Sequence, residues 1–417
     1  MVLARLSLAP GRARRTRRLA LDPASIRRIT VSLIASELER FRQCSVSPET
    51  WLGWGDDLGL DERGIGFDSL ALLDLCTATN EFFHLFESGV EDYLFVRRTL
   101  GEWVTVIARG LELRADHLGF RTSGSTGRPK LCVHSMRGLN TELQTLGEIL
   151  PEATRVVSLV PPHHIYGFLF SVGLPLHLDI PVIDARGIAP GALARQLTAG
   201  DVVIATPFLW NVLLRNIRQW PEGVTGVSST AAMPMDLTET LKAAGLSRLV
   251  EIYGSTETAG IGWRDDHAGP FRLFPHWRFS TDERRLWRDL GDGSPEEIPI
   301  MDRLERLGED GGFRPAGRLD QAVQIGGTNV YPARIAAVIE AMPGVSRCLI
   351  RLDGNAENEA AIRLKAFVVP DKGQTIDDLE QRIRQELAQW VSAVERPVRY
   401  SFGTELPVNA IGKDADW

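Results

Sequence analysis

Between residues 155 and 253 the chain repeats one pattern, a short apolar run followed by a stretch with helical spacing. The apolar runs fall at 155–160, 181–184, 201–205, 223–228 and 249–253, and helical stretches at 136–150, 189–199 and 235–244 lie beside or between them. Strand, helix, strand repetition predicts a mostly parallel sheet with helices on its faces, the α/β class.

Either side of this block the texture differs. Residues 24–110 read as helical, with amphipathic stretches at 26–41 and 99–108. Asp68 or Ser69 suits the N-cap of a helix through Leu70, Leu72, Leu73 and Leu75, and Thr99 the N-cap of the last helix in this region. Residues 279–297 are charged and Gly-containing, which predicts a loop or an irregular hairpin. After a boundary near 317–320 the last hundred residues predict a compact α+β unit. Its strands are expected at 322–325, 345–352 and 362–369, and its helices at 332–341 and 376–389.

Composition narrows the function classes. A chain of 417 residues can hold two or three domains. Its net charge of −7 gives no basic field for nucleic acid or an anionic membrane. Cys44, Cys76, Cys132 and Cys348 form no C-x-x-C pair, which points to a reducing, cytoplasmic setting without a structural cysteine–metal site. No apolar run is long enough to span a bilayer. The first 21 residues carry six arginines and no acid, and read as a disordered tail or an over-called start, with a transit peptide as the alternative.

The chemistry concentrates in a few segments. Thr122-Ser123-Gly124-Ser125-Thr126-Gly127-Arg128-Pro129-Lys130 combines glycines, hydroxyls and a terminal lysine. Backbone N–H groups freed by glycine form a concave nest for oxyanions, and the ammonium adds a point charge, so the run suits a polyphosphate. The order is not that of a Walker A loop. Pro162-His163-His164-Ile165-Tyr166-Gly167-Phe168 follows a strand-like run and offers a flat apolar wall, or plain core packing. Tyr253-Gly254-Ser255-Thr256-Glu257-Thr258 also follows a strand; Glu257 could hold Mg²⁺ against phosphate oxygens, or merely begin a helix. Asp302 and the run Gly317-Arg318-Leu319-Asp320 offer carboxylates for sugar hydroxyls and a nearby guanidinium. Of five lysines against 42 arginines, two end Gly-containing motifs, Lys130 and Lys413. A compact ammonium at both places suggests a requirement that Arg would not meet.

Taken in order, these segments resemble the adenylate-forming superfamily of acyl- and aryl-CoA ligases, peptide-synthetase adenylation domains and luciferases. The resemblance covers about residues 118–417 and implies an adenylate-forming fold with a truncated large N-terminal domain and a small mobile α+β C-terminal domain. It implies that Thr122, Ser123, Gly124, Ser125, Thr126, Gly127 and Lys130 hold phosphates, and that Ser229, Thr230 and Ala231 lie on the adenine and substrate side. Tyr253, Gly254, Ser255 and Thr256 then contact the nucleotide, Glu257 binds Mg²⁺, and Asp302 and Arg318 hold the ribose. His164, Tyr166 and Phe168 would meet the substrate, Asp320 would be the hinge, and Lys413, Glu257 and His164 would be the catalytic residues.

The phrases "HHIYGFLF", "YGSTETAGIG" and "AVQIGGTNVYP" are similar to those of short ligases from aryl polyene and xanthomonadin pigment clusters. That likeness implies ATP and Mg²⁺, a hydroxybenzoate-type acid, and transfer to holo acyl carrier protein, with CoA as the alternative acceptor. The implied organisation is a basic tail over 1–23, a helical segment over 24–117, an adenylate-forming core over 118–318 and a mobile unit over 319–417. "GFDSLALLDL" resembles an acyl carrier protein, so Ser69 is either a phosphopantetheine acceptor or a helix start. The modified-Ser69 reading makes the chain a non-catalytic carrier or binding module, against which the intact ligase motifs stand.

Overall fold

The computed structural model describes residues 18–42, 44–122, 130–281, 284–291, 293, 295–308, 311–318, 322–326, 328–353, 362–371, 373–407 and 417. The core of the larger unit is a nine-stranded sheet. Five strands run parallel in the spatial order Val182–Asp184, Arg155–Ser158, Asp201–Ala205, Thr225–Ser228, Arg248–Ser255. Four more continue antiparallel as Ala259–Arg264, Phe271–Leu273, Gly312–Arg318 and Asp302–Leu307.

The parallel strands sit where the apolar runs predicted them. Asp201–Ala205 is buried at every position, as a strand covered on both faces must be. Its one acid, Asp201, is matched by Arg155 at 2.5 Å and by the backbone N–H of Thr198 at 2.8 Å. From Arg155–Ser158 the chain goes first to one neighbour and then to the other. The carboxyl end of that strand is therefore a switch point, where open α/β sheets bind ligands.

The antiparallel half is less legible in the sequence. Of the two expectations for residues 279–297, the hairpin holds: Trp277–Phe279, Arg285–Arg288 and Glu296–Pro299 form a three-stranded antiparallel sheet joined by longer connections. Arg285–Arg288 alternates exposed and buried, and the inward position of its pattern is an arginine. The helix expected over 189–199 is a short one, Pro190–Ala194.

The first hundred residues are helical as expected, with Pro23–Arg42, Ser69–Phe83 and Leu100–Leu113 the long helices. Asp68 caps Ser69–Phe83 by accepting the Ala71 N–H at 2.8 Å, and Thr99 with Glu102 forms a capping box on Leu100–Leu113. Ser69 is the exposed first residue of its helix. These helices share one apolar core with the sheet, and Phe82 meets Phe120 at 5.1 Å and Phe168 at 6.3 Å between ring centroids. The segment thus packs as a wall of the larger unit, not as a free-standing carrier-like bundle.

Two antiparallel strands, His117–Thr122 and Lys130–Ser135, bring Thr122 opposite Lys130, so the glycine-hydroxyl run is pinned at both ends; Ser123 to Pro129 lie outside the described residues. The C-terminal unit has its own core. Val345–Asp353, Arg363–Pro370 and Pro397–Phe402 form its sheet, packed with helices Pro332–Glu340 and Ile376–Trp390. Among the described residues no helix is long and apolar enough to cross a membrane.

Candidate active site

A cavity of about 650 Å³ opens outside the carboxyl ends of Thr225–Ser228 and Arg248–Ser255. That is within the usual size of small-molecule sites. It is lined on one side by Ser229 to Ala232, on another by Ile252 to Thr256, and closed by Asp302, Gly317 and Gln324. Thr230, Ala231, Tyr253, Gly254, Ser255, Thr256, Asp302 and Ser229, separate in sequence, thus meet at one place.

Thr230 has a backbone φ of +80°, a conformation that β-branched residues avoid, and its buried Oγ1 has no hydrogen-bond partner. A strained residue with an unsatisfied hydroxyl in a cavity wall is the kind of feature that clusters at ligand sites. Its carbonyl accepts the Gln324 Nε2–H at 2.8 Å, which ties the cavity to the C-terminal unit. Across from it the Tyr253 hydroxyl donates to Asp302 Oδ2 at 2.6 Å. Asp302 lies in register opposite Arg318. A carboxylate held by a phenol in this way is suited to accepting from vicinal hydroxyls.

The cavity floor is a buried ion pair. Glu251 is 2.8 Å from Arg264 Nε and accepts the Met233 N–H at 3.0 Å, and Arg264 stacks on Phe271 at 4.4 Å. Burial raises the Glu251 carboxyl above the usual range, and Arg264 opposes that rise. Removing one partner strands the other away from water, so Arg264→Ala is expected to lower stability by about 3 kcal/mol in urea unfolding.

The aromatic wall differs in part from expectation. Tyr166 lines the cavity, its hydroxyl fixed to the carbonyls of Ala205 at 3.1 Å and Val227 at 2.9 Å. Phe168, expected in the wall, is fully buried against Phe82 and Phe120. Ile165, Leu169 and Phe170 line the wall with Tyr166 instead. The reason is helical rotation: in the helical turn that begins at Ile165, Phe168 lies two positions, about 200°, from Tyr166 and faces the core, whereas Phe170, four positions on, shares the Tyr166 face. Gly167 permits this turn, since a Cβ there would stand 1.9 Å from the Pro161 carbonyl oxygen.

His164 is open to solvent outside the cavity lining, 4.3 Å between ring centroids from His163. Neighbouring protein and Arg186 lower its imidazole from the ordinary value, an effect that its contact with solvent weakens. His163 bonds Ser32 Oγ at 2.8 Å and so joins this segment to the first helix.

Glu257 lies across the Thr256 turn, in a neighbouring cavity of about 400 Å³ that it shares with Lys130. Among the described residues no side chain or backbone group bonds its carboxylate, and the half-buried group beside an ammonium fits a site for Mg²⁺ with phosphate oxygens. The turn that carries it is held from behind by groups the sequence reading did not single out. His134 Nε2–H donates to the Thr256 carbonyl at 2.6 Å, and Arg288 donates to the Thr258 carbonyl. Arg288 is buried over Trp277 at 4.4 Å, and buried Glu142 accepts the Gly260 N–H at 2.8 Å. One of these had a sequence signal, because Glu142 is an acid on the apolar face formed by Leu139, Leu143 and Leu146.

These buried groups set a pH profile. Desolvation and Arg288 push His134 down to about 4 and His276 to about 3, while desolvation and Arg264 push His267 to about 4. Burial pushes Glu142 up to about 8. Unfolding at acid pH lets the three histidines bind protons that the fold denies them, so stability rises with pH up to about 6.5. From there to about 8 the fold binds one more proton than the unfolded chain, on Glu142, so stability falls. The urea midpoint is expected to peak near pH 6.5 and decline on both sides, with Glu142→Gln flattening the decline between about 6.5 and 8, above which the buried thiols of Cys76, Cys132 and Cys348, pushed up by burial, keep stability falling.

Four expected groups lie outside the described residues: Ser123 to Gly127 of the glycine-hydroxyl run, Asp320, Lys413, and the side chain of Arg318. Lys413 falls between two described points, Pro407 and Trp417. Trp417 is anchored, its ring 4.7 Å from Lys365 Nζ and its carbonyl accepting from the same ammonium at 2.9 Å.

Residues 120–277 match the AMP-binding enzyme family. A 4-coumarate–CoA ligase from Rhodobacter capsulatus is 39% identical over 94% of this chain and 100% of its own length. A 4-coumarate–CoA ligase from Cereibacter sphaeroides is 38% identical over 95% of this chain and 97% of its own. The fold is similar to that of an o-succinylbenzoate CoA synthetase from Bacillus subtilis, with a TM-score of 0.61 at 15% identity over 94% of this chain and 91% of that one.

Proposed function

The chain belongs to the AMP-binding enzyme family and is an acid–thiol ligase, and from that premise we propose that it activates a hydroxylated aromatic carboxylic acid as an acyl-adenylate and passes the acyl group to a phosphopantetheine thiol. The observation that carries this reading is the cavity that joins the aromatic wall of Tyr166 and Phe170 to strained Thr230 and the Tyr253–Asp302 pair. An aromatic ring fits the wall, and a ribose fits the paired carboxylate.

In the first half-reaction the carboxylate attacks the α-phosphorus of ATP and pyrophosphate leaves. Two anions must meet, so positive charge has to be fixed where negative charge builds. Lys413 would bridge the carboxylate and α-phosphate, while Thr122, Lys130 and the glycine-hydroxyl run between them would hold the β- and γ-phosphates. Mg²⁺, held by Glu257, would neutralise charge on the phosphate oxygens. Arg318 would join Asp302 on the ribose. A turn of the C-terminal unit about Asp320 then withdraws Lys413 and admits the thiol, which attacks the acyl carbon and displaces AMP.

CoA is the first reading for the acceptor, by likeness to the ligases that match the chain end to end. The second is a holo acyl carrier protein, in starter loading for an aryl polyene or xanthomonadin-type pigment, supported by the phrases "HHIYGFLF" and "AVQIGGTNVYP". ATP–pyrophosphate exchange is to be measured across benzoic, hydroxybenzoic, hydroxycinnamic and fatty acids. Exchange stimulated by a hydroxylated aromatic acid is expected, and exchange with fatty acids alone would overturn the substrate class. A competition between CoA and holo-carrier protein for the adenylate then separates the two acceptors.

A further inference from the structure

We propose that His84, Glu87 and His117 form a binding site for a borderline transition-metal dication of the Zn²⁺ or Co²⁺ type, apart from Glu257. Each offers one ligand atom, and these atoms lie within 4.8 Å of one another; among the described residues this is the one such group of three. The Nδ1 atoms of both histidines are buried and have no hydrogen-bond partner. Two imidazoles that each carry an unpartnered buried nitrogen, with a carboxylate against one of them, form a set of ligand atoms without a partner, and buried polar atoms of this kind call for an explanation. The rings are 5.3 Å apart between centroids, and Glu87 Oε1 is 3.6 Å from His84 Nε2.

The arrangement has the features of a metal site rather than a chance ion pair. Arg114, whose Nε–H donates to Asp116 at 3.0 Å, also stands 3.0 Å from the other oxygen of Glu87 as an ion-pair partner, as outer-shell charges flank a ligating carboxylate. His84 takes a left-handed conformation at φ +52°, ending the helix Ser69–Phe83 without a glycine. Two imidazoles and one carboxylate select Zn²⁺ and its neighbours, whereas Mg²⁺ and Ca²⁺ prefer oxygen ligands. Glu87 is exposed, which leaves a position open to water. The site would clip the end of the Ser69–Phe83 helix to the strand His117–Thr122, the strand that leads into the glycine-hydroxyl run.

The test is a Co²⁺ titration of the chelator-stripped full chain, read by visible d–d absorption and by calorimetry. One equivalent is expected to bind, to persist in excess Mg²⁺ and in Glu257→Gln, and to raise Tm. His84→Asn keeps a residue that accepts the left-handed backbone. His117→Val keeps strand propensity. Each is expected to weaken binding at least about 100-fold, the upper end of what an outer-shell change costs. Should either fail to fold, Glu87→Gln on the exposed turn reads out the same loss. Absence of Co²⁺ binding, or unchanged affinity in the folded variants, would overturn the assignment.

Discussion

Lys413→Ala is expected to cut acid-dependent ATP–pyrophosphate exchange by about 10²–10³ while leaving the urea midpoint unchanged. The reason is electrostatic. In the proposed first step negative charge builds between carboxylate and α-phosphate, and one preorganised ammonium in a water-poor site acts there without reorganisation cost. Lysine is scarce in this chain, five against 42 arginines, so its placement in the final Gly-Lys stands out. Arginine is a wider, planar group that favours bidentate partners, so Lys413→Arg is expected to recover only part of the loss. The second half-reaction, followed with pre-formed acyl-adenylate and thiol, should lose far less, because in the proposed cycle the lysine is withdrawn before it. Near-normal exchange in the alanine variant would remove Lys413 from the chemistry.

Glu257→Gln is expected to lower kcat for adenylation by about 10² and to raise the Mg²⁺ concentration needed for half-maximal rate. Glutamine keeps the shape and removes the charge, so the turn should survive. That turn is held independently of the carboxylate, through His134 on the Thr256 carbonyl and Arg288 on the Thr258 carbonyl. A merely structural role for Glu257 would lower stability and leave the Mg²⁺ dependence alone. The Mg²⁺ dependence is therefore the deciding readout.

Much of the larger unit follows from local pattern. The five parallel strands are apolar on both faces, so apolar runs such as 201–205 are their direct signature. Asp68 and Thr99 were recognisable as caps, because capping depends on a side chain and the N–H groups three residues on. The ligase motifs marked segments that the structure brings to one cavity. Local sequence alone was therefore enough for the run of strands and helices, the caps and the motif segments.

Tertiary structure alone decided which of those residues share a cavity. Phe168 and Phe170 are two apart in a stretch that is apolar all round, so helical rotation sets them on opposite faces, and only the packing of Phe82 and Phe120 on one face decides that Phe168 is core and Phe170 wall. Arg288 reads as surface charge in its strand, and only the packing of Trp277 over it makes it a buried donor to the Thr256–Thr258 turn. Helical segments that look like a carrier protein become a wall of the enzyme once Phe82 meets Phe120 and Phe168. Local pattern reports backbone hydrogen bonding and which face is apolar. Contacts between residues more than a hundred positions apart, such as Gly260 with Glu142, depend on the assembled sheet and leave no local trace.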